Sequence, residues 1–212
     1  MCAGRRASRS VMRRHSYGRC MPRQARSEVV GGYYHLTARG NGGDRLFFDD
    51  EDFDRYVNFL SRAVPNFDWR CFAYCAMPNH FHLVVQLTRA SLSDGMRWLC
   101  GIYARTYNRR HSRSGHVFGD RYRTTFIESE RHLAYACRYV ECNPVRAGLC
   151  AHPRDWPWSS YCAAVGLIPA PAFVTRDAVQ FVGGPRAYEG FVDELVAAIQ
   201  SGSDPKGLTL GA

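Results

Sequence analysis

Two strand-like runs, Trp69–Met77 and His80–Leu87, are separated only by Pro78-Asn79. A connection that short makes them antiparallel neighbours, most simply a hairpin. The hairpin constrains everything around it. Before it, Tyr33–Arg39 reads as a strand stopped by Gly40-Asn41-Gly42-Gly43. Asp49 or Asp50 then caps a helix reaching about Val64, with Phe53, Tyr56, Val57 and Leu60 on one side and Pro65-Asn66 at its end. After the hairpin, Ser91 begins a helix to about Arg110 whose apolar face is Met96, Leu99, Ile102, Tyr103 and Tyr107. His111–Gly119 is a polar loop, Tyr122–Ile127 a fourth strand, and Ser129 opens a third helix over Arg131–Cys142, stopped by Pro144. The first six elements run βαββαβ, the split βαβ order of a ferredoxin-like α+β fold: an antiparallel sheet with helices on one face. That fold hosts many functions and decides none of them.

Beyond Gly148, Asp155-Trp156-Pro157-Trp158-Ser159-Ser160-Tyr161 forms a dense aromatic turn, which reads as a hydrophobic clasp. Residues 166–212 hold a proline-containing linker and one helix, Pro185–Ile199, with Tyr188, Phe191, Leu195 and Ala198 inward. The chain thus divides into residues 1–26, a domain over 27–165, and a C-terminal helical extension over 166–212. Charge supports the first boundary. Of 28 basic residues, eight arginines fall in residues 1–26 without one acid, leaving 20 basic against 19 acidic in the remainder. The segment is either a disordered basic arm that binds phosphates or the product of a mis-annotated start, with translation beginning at Met12 or Met21.

No stretch offers the roughly 20 apolar residues of a bilayer span, and the N-terminus lacks the apolar core of a secretory signal. Nine cysteines include no CxxC pair, which removes a zinc ribbon or thioredoxin-type site and points to reduced thiols in a cytoplasmic protein. Cys71 and Cys75, four apart in a strand, are expected to share one buried face.

His80-Phe81-His82 lies inside the third strand, where alternation turns both imidazoles one way and Phe81 the other. Their Cα atoms are about 6.6 Å apart along the strand, close enough for both rings to reach one metal ion. By itself such a pair is more often a surface decoration. Tyr139 and Asn143 share a face of the third helix by i,i+4 spacing. Taken alone, a helical tyrosine is ordinary packing, as Tyr135 one turn earlier would be, and an asparagine before proline is an ordinary cap.

Together, however, these elements resemble a known family. Met77-Pro78-Asn79-His80-Phe81-His82-Leu83, Leu92-Ser93-Asp94-Gly95-Met96-Arg97-Trp98 and Tyr107-Asn108-Arg109-Arg110-His111 are similar to the transposase domain of the single-tyrosine HUH (IS200-like) enzymes. Gly115-His116-Val117-Phe118, Arg138-Tyr139-Val140-Glu141-Cys142-Asn143-Pro144-Val145-Arg146-Ala147-Gly148-Leu149 and Trp156-Pro157-Trp158-Ser159-Ser160-Tyr161 continue the resemblance. Tyr34-His35 and Arg39-Gly40-Asn41 extend it toward the N-terminus, so that it covers about residues 21–165. The chain most resembles the solitary branch, the REP-associated tyrosine transposases.

The resemblance implies a ferredoxin-like core, in agreement with the element order. It implies that His80 and His82 hold Mg²⁺ or Mn²⁺, that Asn143 supplies a third ligand, and that Tyr139 is the nucleophile. The implied reaction is metal-dependent cleavage and strand transfer on single-stranded hairpin DNA through a 5′-phosphotyrosine. A phenol is a weak nucleophile at neutral pH and needs such assistance. The partner implied is hairpin DNA, acted on by a monomer or a homodimer. Gln86 stands where relatives often carry an acidic residue, which bears on ion preference.

Arg97, Arg105, Arg109, Arg110, Arg113, Arg121 and Arg123 crowd the middle of the chain, with Asp120 the one acid among them. They form either a solvated surface or a phosphate-binding one, and Arg146 is expected to touch phosphate near Tyr139. Trp98 and Tyr122 are candidates to stack on unpaired bases. His35 and His116 are further candidates for the pocket, with a structural role favoured for each. Two other readings compete: a nucleic-acid-binding regulator that does not cleave, and a metal phosphodiesterase that uses water and has no need of Tyr139.

Overall fold

The computed structural model describes residues 28–203, so the basic segment lies outside the described residues. Four strands, β1 (Tyr33–Arg39), β2 (Trp69–Met77), β3 (His80–Leu87) and β4 (Arg123–Ile127), form one sheet in the order β2-β3-β1-β4. Every neighbouring pair is antiparallel, as the split βαβ order requires.

Helix α1 (Asp50–Asn66) starts where the Asp49 carboxylate accepts the Asp52 N–H at 3.1 Å, with three acids in its first turn. Helix α2 (Leu92–Arg110) begins after Ser91, but its free N–H groups are met from elsewhere. The Glu28 carboxylate accepts from Leu92 N at 2.9 Å and Ser93 N at 2.8 Å. Both helices cover one face of the sheet, burying Tyr56, Leu60, Met96, Leu99 and Tyr103 against Leu36, Phe81, Leu83 and Val85.

The opposite face is covered by the rest of the chain. Helix α3 (Glu130–Glu141), capped by Ser129, lays Leu133, Cys137 and Val140 on Val84 and Cys75. Pro144 does not simply stop it. The chain turns at Cys142 and resumes as α4 (Asn143–Arg146), with Pro144 in the first turn, where the missing N–H leaves no bond unmade. Two short helices follow, α5 (Tyr161–Ala164) and α6 (Asp177–Gln180), and then α7 (Pro185–Gln200). Helix α7 buries Tyr188, Val192, Leu195 and Val196, so the inward side is rotated from the expected one and leaves Phe191 and Ala198 half-buried.

The aromatic turn acts as the expected clasp. It closes the outer edge of β2: Ala76 N donates to Trp158 O and Trp156 Nε1 to Ala76 O, both at 2.9 Å, while Trp158 stacks on Phe53. The buried Glu141 carboxylate ties α3 to this turn and to α7, accepting from Ser160 Oγ at 2.6 Å and Tyr188 Oη at 2.7 Å.

Cys71 and Cys75 do not share a face. Cys71 pairs opposite Val85 and Ala73 opposite Val84, so Phe72 is an extra residue in a β-bulge. One inserted residue inverts the alternation, placing Cys71 in the α1–α2 core and Cys75 in the α3 core.

Candidate active site

The site occupies the α3 side of the two central strands. Thr37 pairs directly with His82 and Arg39 with His80, so His35, Thr37, Arg39, His80 and His82 all project from one face. The two motif rings stand 4.9 Å apart, nearly perpendicular. Burial, and secondarily the Arg39 charge, lowers the His80 pKa to about 4; burial drives His82 well below its ordinary value. Burial also lowers His35 to about 4. All three rings are therefore neutral near pH 7, the form that ligates a cation.

The second nitrogen of each motif ring is engaged. His80 Nδ1 lies 2.7 Å from Asn79 Oδ1. His82 Nδ1 lies 2.8 Å from His35 Nε2 and 3.1 Å from Thr37 Oγ1. Nε2 of each ring is then the nitrogen left for an ion, an arrangement in which outer partners fix ligand orientation.

Helix α3 brings Tyr139 over this face. Its ring centre lies 6.1 Å from that of His82 and 5.9 Å from that of His35, edge to face. Asn143 is buried at the α3–α4 junction, where its amide N–H groups donate to the carbonyls of Tyr139 at 2.9 Å and Val140 at 3.3 Å. That orientation turns Oδ1 the other way. His80, His82, Tyr139 and Asn143 line one cavity of about 360 Å³. Two neutral imidazoles and an amide oxygen there fit a divalent ion with positions to spare for phosphate oxygens. The floor is backbone: Gly40, Gly42 and Gly119 line it, and a Cβ on Gly40 would sit 2.1 Å from Asp44 O.

The arginines separate into groups. Arg121 and Arg123 line the cavity, as does Arg39, to which the sequence reading gave no role. The Arg146 guanidinium carbon lies 4.7 Å from the centre of the Tyr139 ring. Arg105 and Arg109 are exposed on α2 and do not line the cavity. Arg110 is turned inward, bonding Asp49 and Asp52 at 2.7 Å and Glu51 at 2.9 Å. Arg113 reaches Tyr107 Oη at 3.1 Å and Asp44 at 3.3 Å.

The aromatic and histidine candidates also divide. Trp98 packs against Phe67 at the edge of the α1–α2 core, and Tyr122 Oη lies 3.3 Å from Ser93 Oγ; neither lines the cavity. His116 is exposed on its loop, whereas His35 is buried against His82. Gln86 accepts from Arg70 and donates to Gly31 O, at the end of β3 remote from His80, and is not a cavity residue.

A family model described as "Transposase IS200 like" matches residues 28–143. A Haemophilus influenzae protein named as a REP-associated tyrosine transposase is 23% identical over 152 residues, which span 66% of this chain and 86% of that protein. A solved structure of a REP-associated tyrosine transposase bound to a REP hairpin shares the fold. It superposes with a TM-score of 0.58 at 18% identity, covering 77% of this chain and 97% of the other.

Proposed function

Because this chain belongs to the IS200-like transposase family, we propose that it cleaves and rejoins single-stranded hairpin DNA through a covalent link to Tyr139. The observation that carries the reading is the convergence of Tyr139, His80, His82 and Asn143 on one cavity from a strand and a helix far apart in sequence. The relative of known structure is bound to a REP hairpin, which supports hairpin DNA as the substrate class.

In this reading His80 Nε2, His82 Nε2 and Asn143 Oδ1 hold Mg²⁺ or Mn²⁺, which when bound supplies Lewis-acid polarisation of a non-bridging phosphate oxygen. The Tyr139 hydroxyl oxygen attacks phosphorus in line with the departing 3′ oxygen. The O–P bond to tyrosine forms as the bond to the 3′ oxygen breaks; the phenol loses its proton and the 3′ oxygen gains one. The products are a 5′-phosphotyrosine and a free 3′-OH. Bond energy is conserved, so another 3′-OH can reverse the step and join strands without ATP. Arg39, Arg121 and Arg123 bind the phosphates flanking the scissile one, with no ion pair to a protein carboxylate among the described residues. Arg146, over the Tyr139 ring, restricts the direction in which the phenol points.

The test is a denaturing gel of the protein with labelled single-stranded hairpins from palindromes flanking its own gene, with Mg²⁺ or Mn²⁺. A covalent protein–DNA band absent in Tyr139→Phe is the expected result. Cleavage that persists in that variant without an adduct would replace the reading by a water-using phosphodiesterase. Tight hairpin binding with neither cleavage nor adduct would replace it by a non-cleaving regulator. His80→Ala should lose cleavage while retaining hairpin binding.

A further inference from the structure

We propose that His35 is a positioning residue, whose Nε2 accepts the Nδ1 proton of His82 and thereby commits His82 Nε2 to the ion. The inference rests on the metal-dependent reading above and gives a specific role to a residue that the sequence offered only as a pocket candidate.

The geometry is direct. His35 Nε2 and His82 Nδ1 are 2.8 Å apart, and both rings are buried, His35 at 8% exposure and His82 at 6%. Two imidazole nitrogens at that distance share a single proton, so one donates and the other accepts. When His82 donates, its Nε2 is an unprotonated lone pair facing the cavity. When His82 accepts, Nε2 carries the proton and turns an N–H toward the cation. Ion binding is therefore favoured by a group on the buried Nδ1 side that accepts in preference to donating. Thr37 Oγ1, at 3.1 Å, can donate or accept and so does not select the tautomer. His35 Nε2 can accept only when its own proton sits on Nδ1, which couples the tautomers of the two rings.

The strand pairing explains why His35 occupies this place. Thr37 lies directly opposite His82, and His35, two residues earlier on the same face, lies opposite Val84. Its ring leans along the strand toward His82, the two rings within 14° of parallel and their centres 5.1 Å apart, while it meets the Tyr139 ring edge to face. His35 thus supports both the ligand and the wall on which the phenol rests. A neutral acceptor also differs from the carboxylate common behind metal-bound histidine. It orients the ring without pulling its proton away, so the charge on the ion is undiminished.

The experiment uses the full chain and reads ion binding and tautomer rather than turnover. Mn²⁺ affinity is measured by electron paramagnetic resonance titration for wild type, His80→Ala, His35→Leu and His35→Gln, with melting temperature recorded for each. Leucine fills much of the ring volume without an acceptor, and glutamine restores one. His35→Leu should bind Mn²⁺ about 10–100-fold more weakly, the loss usual for an outer partner of a ligating histidine. His35→Gln should recover to within about threefold of wild type on the same basis. In the Mg²⁺-loaded protein, long-range ¹H–¹⁵N correlation should show His82 protonated at Nδ1 and His35 unprotonated at Nε2. Wild-type affinity in a folded His35→Leu, equal loss in the leucine and glutamine variants, or a proton on His35 Nε2 would each overturn the role. Wild type that binds no Mn²⁺, or His80→Ala that binds it unchanged, would instead overturn the metal reading itself, and this role with it.

Discussion

Glu141, the last residue of the helix that carries Tyr139, is fully buried, and its removal from water has a measurable consequence. Burial pushes its pKa up from 4.5 to about 7, although the hydroxyls of Ser160 and Tyr188 both donate to it and oppose the shift. The folded protein therefore holds the Glu141 proton more tightly than the unfolded chain does. Its contribution to stability is complete below about pH 4.5 and is lost progressively as pH rises through about 7. At about 1.4 kcal/mol per unit, the span corresponds to about 3 kcal/mol. The titratable groups around it do not confuse the window. Cys71, Cys75, Cys137, Tyr74 and Tyr188 are all shifted upward by burial and stay uncharged across it. Glu141→Gln keeps the shape and cannot ionise. Paired urea denaturations at pH 5 and pH 8 should show the variant gaining about 2–3 kcal/mol relative to wild type between the two conditions. Taking the difference between the proteins cancels the buried histidines, which titrate in both. A wild type that holds a constant difference from the variant, or gains on it as pH rises, would refute the argument.

Arg110 and the cavity arginines should behave oppositely. Arg110→Met leaves the buried Asp52 carboxylate without its guanidinium partner, so it should cost about 3–5 kcal/mol in denaturation while hairpin affinity per folded molecule stays unchanged. Arg121→Ala and Arg123→Ala should leave stability within about 0.5 kcal/mol. Each should weaken hairpin binding and flatten the plot of log affinity against log salt by about 0.7. Gly40→Ala drives a methyl group to 2.1 Å from Asp44 O, so it should destabilise by about 1–3 kcal/mol and lower hairpin affinity together, read by melting and by fluorescence anisotropy.

Much of the fold was legible because its determinants are local. The β2–β3 hairpin falls at the residues where the apolar runs and Pro78-Asn79 place it. The i,i+4 spacing of Tyr139 and Asn143 survives because it is a property of a helix turn, even though Asn143 lies just past the end of α3. Alternation likewise turns His80 and His82 to one face whatever surrounds them. The errors fall where a single residue or a distant partner intervenes. One extra residue at Phe72 inverted the alternation of Cys71 and Cys75, and the pattern of apolar residues carries no mark of it, since both positions are buried either way.

Charge was least legible. Counting arginines along the sequence weights Arg110 and Arg123 equally, yet antiparallel packing of α1 on α2 delivers Asp49, Glu51 and Asp52 to Arg110, and leaves Arg123 facing the cavity. The contact made by His35 was illegible for a similar reason. Its signal, a histidine on a strand, gains meaning only when β1 pairs with β3 and sets its ring on His82. The sequence by itself determined the strands, the helices, the facing of the histidine pair and the helical turn shared by Tyr139 and Asn143, because backbone periodicity acts over a few residues. The tertiary structure decided which side chains meet across elements 40 to 60 residues apart, because Coulomb attraction and hydrogen bonding act through space and depend on distances that periodicity does not encode.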